Sequence, residues 1–219
     1  MSDEMAGTTS EPAKLPWERR SEMDVEKAFA LTILAFLRPK RAWERTPESG
    51  GYPGPLLFAA LSAFLGTLFA ATWNLLMFRW YLHRHPGFRP RTMPAFLGNW
   101  VVHLSNLNII LSPIFNTAFA VLFVFVAAAI IHVGVFLVGG RKRSTSGFEG
   151  SFRVAAYGAA GLIGDAVPLL GALLAFVWCA VLAVTGVARM HRMSIARAIA
   201  AVVVPFAVIF GVMFAFGSK

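Results

Sequence analysis

The chain has 219 residues, of which 57% are hydrophobic and 14% are charged, and its formal net charge at pH 7 is +9. A water-soluble domain averages about 25% charged residues, so this composition excludes an ordinary soluble domain and indicates a membrane protein. The basic residues stand at the ends of hydrophobic runs, as the positive-inside rule describes, which argues against nucleic-acid binding. Cys179 is the only cysteine, so no disulfide can form within the chain.

The N-terminal residues 1–24 are rich in Ser, Thr, Glu, Pro and Arg. Such a segment cannot bury a core, and we expect a mobile tail. Residues 25–37 follow with a helical pattern, bounded by Asp24 as N-cap and by Pro39 beyond the end. About thirteen residues are too few to cross a bilayer.

This short helix is therefore either an interfacial helix with basic residues near anionic headgroups or a helix docked on the membrane domain. The basic residues at its end are Arg38, Lys40 and Arg41. Six prolines and glycines between residues 46 and 55 then mark a linker. We divide the chain there into a cytoplasmic N-terminal tail with a short amphipathic helix, residues 1–50, and a five-span membrane domain, residues 51–219.

Five apolar runs are predicted to cross the membrane, at residues 56–78, 113–138, 152–164, 169–188 and 195–216. Residues 95–111 contain His103 and three asparagines, which would each need a partner in hydrocarbon. We interpret them as an interfacial or partly re-entrant helix, joined to the first span by a loop at residues 83–94. The predicted fold is an all-α membrane protein with five transmembrane helices, an N-terminal interfacial helix and a further interfacial helix between spans one and two.

The distribution of Lys and Arg orients these spans. With the N-terminus in the cytoplasm, most basic residues, including the cluster at residues 141–143, fall on the cytoplasmic side. A sixth span at residues 95–111 would place that cluster outside. Arginine outnumbers lysine and alanine is abundant, which points to a bacterial source, so we expect a bacterial inner-membrane protein.

Polar residues in the apolar runs are the candidates for chemistry. His132 lies within the second span, where it either bonds to another helix, which we favour, or marks a pathway. Asp165 stands between the third and fourth spans, which a short connector makes into an antiparallel hairpin. We expect it to cap the fourth span, with Pro168 in the first turn; the alternative is a proton relay.

Gly158, Gly161 and Gly164 repeat every third residue, a spacing that lets a neighbouring helix come close. The histidines at 83, 85 and 103 have no cysteine or acidic residue beside them in that loop, so we predict no metal site and no cofactor. The chain has no Gly-x-Ser-x-Gly elbow, no Walker loop and no His-Glu-x-x-His motif. We therefore predict no enzymatic activity.

From His132 onward the sequence resembles the Yip family of Ypt/Rab-interacting membrane proteins, in its bacterial branch. The residues that carry the likeness, besides His132, are Gly139-Gly140, Ser151-Phe152-Arg153-Val154-Ala155-Ala156-Tyr157, the turn Val167-Pro168-Leu169-Leu170-Gly171, Trp178, and Gly186-Val187-Ala188-Arg189-Met190-His191-Arg192-Met193-Ser194 leading into Ala196-Arg197-Ala198.

The resemblance implies a five-span membrane protein with a cytoplasmic N-terminus. Eukaryotic members of that family bind prenylated Rab GTPases and partners within the family, and take part in vesicle traffic and membrane shaping. Their acidic Asp-Leu-Tyr-Gly-Pro motif is absent here, and Gly51-Tyr52-Pro53-Gly54-Pro55 is a distant counterpart.

We therefore expect a non-catalytic scaffold in contact with the lipid bilayer that organises the membrane or recruits a protein partner; the partner's identity and self-association into a homo-oligomer are left open. The alternative is a small transporter or channel subunit with a polar path along Asn116, His132 and Asp165. The candidate functional or packing residues are His132, Tyr157, Gly161, Asp165, Pro168, Trp178 and His191.

Overall fold

The computed structural model describes residues 14–84, 106–140 and 146–217. Within these ranges no strand is present and helices make up most of the chain, which confirms the all-α prediction. The elements in chain order are an N-terminal 3₁₀ helix at Pro16–Arg19, α1 at Val25–Phe36, α2 at Pro39–Glu44, α3 at Pro53–Arg84, α4 at Asn106–Leu137, α5 at Gly147–Gly158, a long 3₁₀ helix at Ala159–Ala166, α6 at Gly171–Met190 and α7 at Ile195–Gly217.

Three helices are long and apolar enough to cross a membrane, judged by length and composition. Their apolar stretches are Pro53–Tyr81 in α3, Leu111–Leu137 in α4 and Gly171–Met190 in α6, while the described apolar stretch of α7 is shorter, Ile195–Val208. Large side chains on these helices face outward: Phe115 is 70% exposed and Phe176 is 73% exposed. Such surfaces suit lipid rather than water, and the chain is a multi-pass membrane protein.

The predicted third span, residues 152–164, is divided between two kinds of helix. α5 ends at Gly158, and the chain continues without a break as the long 3₁₀ helix. Because a 3₁₀ helix rises about 2.0 Å per residue and an α-helix about 1.5 Å, the two together extend about 34 Å.

The long 3₁₀ helix packs between α3 and α6. On one side the Trp73 indole of α3 donates to the Ala166 carbonyl at 3.0 Å. On the other side Gly161 lies against Cys179 of α6, and Gly164 lies against Ala175. Later residues of the long 3₁₀ helix contact earlier residues of α6. The two segments are therefore antiparallel, which confirms the predicted hairpin.

The turn before α6 differs from the expectation. α6 begins at Gly171 with Leu170 as its N-cap and no side-chain cap hydrogen bond, so Asp165 does not cap it. Asp165 instead lies in the last turn of the long 3₁₀ helix, and Pro168 precedes α6 rather than forming its first turn. The reason is the turn itself, in which the Leu170 N–H donates to the Pro168 carbonyl and Leu169 adopts a φ of 64°.

Helix boundaries also shift. α3 is longer than the predicted first span and includes residues 83–84 of the expected loop. α4 begins at Asn106 and continues through Pro113, because proline is tolerated within transmembrane helices. The rest of that loop and residues 95–105 of the expected interfacial helix lie outside the described residues, as do residues 1–13 and 141–143.

The expectation that residues 1–24 bury nothing is wrong for their described part. Leu15 and Trp17 are fully buried, and the N-terminal 3₁₀ helix holds them against α1. α2 also has no counterpart in the prediction; it buries Ala42 and Trp43 and packs against α6. The average composition of the segment is polar, but individual apolar side chains within it enter the core.

Gly161 provides a test of the packing between the long 3₁₀ helix and α6. A Cβ at this position would lie 2.6 Å from the Cys179 backbone nitrogen, whereas a Cβ at Gly158 would meet nothing within 4 Å. We expect Gly161→Ala to lower the free energy of unfolding by about 1–3 kcal/mol through overpacking.

Gly158→Ala is the matched control and should be neutral or slightly stabilising, because alanine favours a helix over glycine. Thermal melting of the detergent-solubilised protein measures both. Equal melting temperatures for the two variants would contradict the close approach at Gly161.

Candidate functional site

One end of the helical bundle is covered by the N-terminal part of the chain. α3 and α5 begin there and α6 ends there, while the N-terminal 3₁₀ helix, α1 and α2 pack across it. We call this region the capped end. It contains a cluster of aromatic rings whose neighbouring centroids lie 5.1–6.5 Å apart, formed by Trp17, Phe29, Phe36, Trp43, Phe58 and Tyr157.

Arg153 lies beside these rings, and its side chain has no exposed surface. Its guanidinium donates to Glu18 Oε1 at 2.7 Å, to Glu149 Oε1 at 3.3 Å and to the Gly51 carbonyl at 3.3 Å. The Tyr157 hydroxyl donates to the same oxygen of Glu18. A buried charge is tolerated only when it is paired and hydrogen-bonded, and three separate parts of the chain meet that requirement here.

The linker before α3 is shaped by this cluster. Gly50 and Gly51 have φ of +142° and +85°, in the region that favours glycine. A Cβ at Gly50 would lie 2.7 Å from the Arg153 guanidinium. The Gly51 N–H donates to Glu149 Oε1 at 2.8 Å, and the Gly54 carbonyl accepts a 2.8 Å bond from the Trp17 indole. The segment identified as the distant counterpart of the family motif therefore contacts the buried charges.

A second polar group at this end joins α4, α5 and the connection between α6 and α7. Ser151 Oγ lies 3.3 Å from His132 Nδ1 and 3.1 Å from His191 Nε2. A hydroxyl has one hydrogen, so Ser151 can donate to only one of the two imidazoles and accepts from the other. Burial, with a smaller contribution from the neighbouring His132, lowers the pKa of His191 to about 4.

The structure brings together three of the seven candidate residues. Tyr157 belongs to the Arg153 cluster, and Ser151 joins His132 to His191. The other four lie elsewhere. Gly161 packs against α6, Trp178 of α6 is half-buried against the hydrophobic core, and Asp165 and Pro168 lie around the turn at the start of α6.

The residues proposed for a transport path are also separated. His132 lies near the capped end and Asp165 at the opposite end, while Asn116 is exposed on α4 about 24 Å along the helix from His132.

Sequence reasoning missed the acidic and basic members of the site. Glu149 and Arg153 are spaced i, i+4 at the start of an apolar segment, which is a recognisable ion-pair signal. Glu18 gave no such signal, because it lies in a segment of polar average composition and its partners lie more than 130 residues away.

The chain is similar to a known protein family. A family model described as the Yip1 domain matches residues 33–216 of the chain. No curated protein and no solved structure matches it significantly. Arg153, Tyr157, Ser151 and both histidines lie within the matched range, whereas Trp17 and Glu18 precede it.

The buried histidine makes stability depend on pH. The pKa of His191 is about 4 in the folded protein and 6.5 ordinarily, so the unfolded chain binds an extra proton between these values. The contribution of neutral His191 to the free energy of unfolding is complete above pH 6.5 and is lost as the pH falls toward 4. We expect His191→Gln to reduce the pH dependence of the free energy of unfolding across this window by up to about 1.4 kcal/mol per pH unit, which appears as a flatter decline in melting temperature.

His83→Gln changes an exposed histidine at the end of α3 and should keep the parental pH dependence. Melting of detergent-solubilised protein at several pH values gives the comparison. Parallel curves for the parent and His191→Gln would show that His191 is not held neutral.

Proposed function

The chain belongs to the Yip1 domain family, and from this premise we propose that it is a five-pass bacterial inner-membrane protein that recruits a protein partner at its capped end and catalyses no reaction. The observation that carries the proposal is the Arg153 cluster, where distant parts of the chain meet on buried charge. Such an arrangement fixes the shape of one exposed end of the molecule. It offers a defined surface rather than a reaction centre.

Lengths and charges support five passes with the N-terminus in the cytoplasm. α3, α4 and α6 are long enough to cross a bilayer, and α5 with the long 3₁₀ helix extends about 34 Å. α7 has 23 residues and reaches about the same length. A hydrocarbon core is about 30 Å thick. The capped end then faces the cytoplasm, together with most of the lysines and arginines.

The groups that could perform acid–base chemistry are enclosed and engaged with one another. Arg153, Ser151 and His191 are fully buried, and each has a protein partner within 3.3 Å. Groups that are buried and hydrogen-bonded in this way hold the surrounding backbone and side chains in place. This enclosure supports the interpretation that the protein is not an enzyme.

We propose that α1 is both docked on the membrane domain and interfacial, which are the two alternatives that its sequence allowed. One face of α1 buries Ala28, Thr32 and Phe36, while Leu31 and Leu34 are exposed on the other. Phe36 contacts Phe58 in the second turn of α3, so α1 lies at the depth where a span begins. We propose that the outer face rests in the membrane interface, with the nearby arginines and lysine against anionic headgroups.

Cysteine labelling tests the topology. In a Cys179→Ala background, Ser194→Cys and Leu169→Cys place single thiols at exposed positions on opposite ends of α6. We expect a membrane-impermeant thiol reagent to label Leu169→Cys in intact spheroplasts and Ser194→Cys only in inverted vesicles. Leu34→Cys, 57% exposed without lipid, should react in detergent and resist the reagent in both membrane preparations.

Labelling of Ser194→Cys from outside would overturn the five-pass topology. Labelling of Leu34→Cys in inverted vesicles at the rate of Ser194→Cys would overturn the interfacial position of α1 and leave the topology standing.

Photo-crosslinking in native membranes tests partner recruitment. A photoreactive amino acid at Glu44, exposed on α2 at the capped end, is compared with the same amino acid at Leu169. We expect discrete products of higher mass from Glu44 and none from Leu169, because among the described residues the defined polar surface lies at the capped end. Products from neither position, or the same products from both, would contradict a partner at the capped end.

A further inference from the structure

We propose that residues 15–18 are a built-in ligand of the capped end, and that the protein partner engages the same site by presenting a segment with an adjacent tryptophan and carboxylate. This inference rests on the proposed partner-recruiting function and names the chemistry that would be recognised. The receptor site is formed by α1, the start of α3 and α5. In the structure, the chain's own Trp17 and Glu18 occupy it.

Trp17 makes the contacts of an anchor residue in a pocket. Its ring is fully buried and packs edge-on against Phe58 at 5.6 Å and Phe29 at 6.1 Å. The indole N–H donates to the Gly54 carbonyl at 2.8 Å, and the backbone N–H donates to Thr32 Oγ1 at 2.9 Å. Buried tryptophans with a satisfied N–H are typical hot spots of protein interfaces.

Glu18 supplies the charge that the site demands. Its carboxylate accepts from both Arg153 and Tyr157. Without it, the guanidinium retains Glu149 and the Gly51 carbonyl at 3.3 Å but loses its 2.7 Å partner. Removing the shortest hydrogen bond of a buried charged group is costly, so an occupant without a carboxylate is disfavoured. The site thereby selects for an acid next to the aromatic anchor.

The surroundings of Trp17 and Glu18 resemble those of a short linear ligand. Lys14, Arg19, Ser21 and Glu22 are exposed, and Arg19 pairs with Glu22 on the surface. Burial is thus concentrated in Leu15 and Trp17, with Glu18 beside them. Most of the receptor residues belong to the matched family domain, while the occupant precedes that domain.

Self-occupation would control access. A short tether gives the attached segment an effective concentration in the millimolar range. A partner therefore displaces it only when the partner binds more tightly or is itself held close in the membrane. Under this proposal, residues 15–18 block the docking site at the capped end until a partner displaces them.

The experiment separates the segment from the folded protein. A protease recognition sequence is inserted between Ser21 and Glu22, in the exposed turn before α1, and the full chain is cleaved in detergent after purification. A fluorescent peptide spanning residues 13–22 is then added to cleaved and uncleaved protein. We expect the peptide to bind the cleaved protein and displace the native fragment, with at least tenfold weaker binding to the uncleaved protein.

Peptides carrying Trp17→Ala or Glu18→Gln should each bind the cleaved protein roughly tenfold more weakly, and Glu22→Gln is the matched control that should bind like the parent. Melting and size-exclusion profiles are recorded before and after cleavage. Aggregation on cleavage, or a fragment that excess peptide cannot displace, would show that residues 15–18 are a permanent part of the core and overturn the proposal. Equal binding of all four peptides would overturn it as well.

This readout needs no partner. If crosslinking at Glu44 fails and peptide exchange succeeds, the capped end binds residues 15–18 reversibly but recruits no protein partner. Successful crosslinking with failed exchange would place the partner on another part of the capped end and end this proposal.

Discussion

The burial of one guanidinium group organises the capped end. Arg153 is the charged group that the described core encloses completely, and its charge must be matched by groups from elsewhere in the chain. Glu149 comes from the preceding turn, Glu18 from the N-terminal segment and the Gly51 carbonyl from the linker. Replacing such a network by apolar residues often costs no stability, whereas breaking it costs several kcal/mol. We infer that the network serves to specify which segments meet at this end.

The parts of the fold that could be predicted are those that lipid dictates. α3, α4 and α6 are visible in the sequence because, without water, an uninterrupted apolar helix satisfies its own backbone. The Gly161 approach to α6 was also visible, since small residues at helical spacing indicate close packing. These signals are local, and each can be identified within one run of residues.

The parts that could not be predicted depend on partners far away in sequence. Trp17 and Glu18 sit in a polar segment whose composition suggests a mobile tail, yet their contacts lie on α3 and α5. The change from α-helix to 3₁₀ helix after Gly158 occurs where the segment packs between α3 and α6, and these contacts are not visible in the local sequence. Asp165 was expected to be a cap because it precedes an apolar run, but the αL conformation at Leu169 delays the start of α6. Of the two buried polar groups at the capped end, Tyr157, His132 and His191 were named as candidates from the sequence, whereas their acidic and hydroxyl partners were not.

The long 3₁₀ helix also increases the length of the segment in which it lies. If its eight residues were α-helical, the segment would be about 4 Å shorter. The Ala166 carbonyl would then no longer reach the Trp73 indole on the neighbouring span. A mismatch of a few Å between a span and the hydrocarbon core has a measurable energetic cost and sorts proteins between bilayers of different thickness. Under the proposed five-pass topology, the helix type as well as the number of residues therefore sets how closely this segment matches the thickness of the hydrocarbon core.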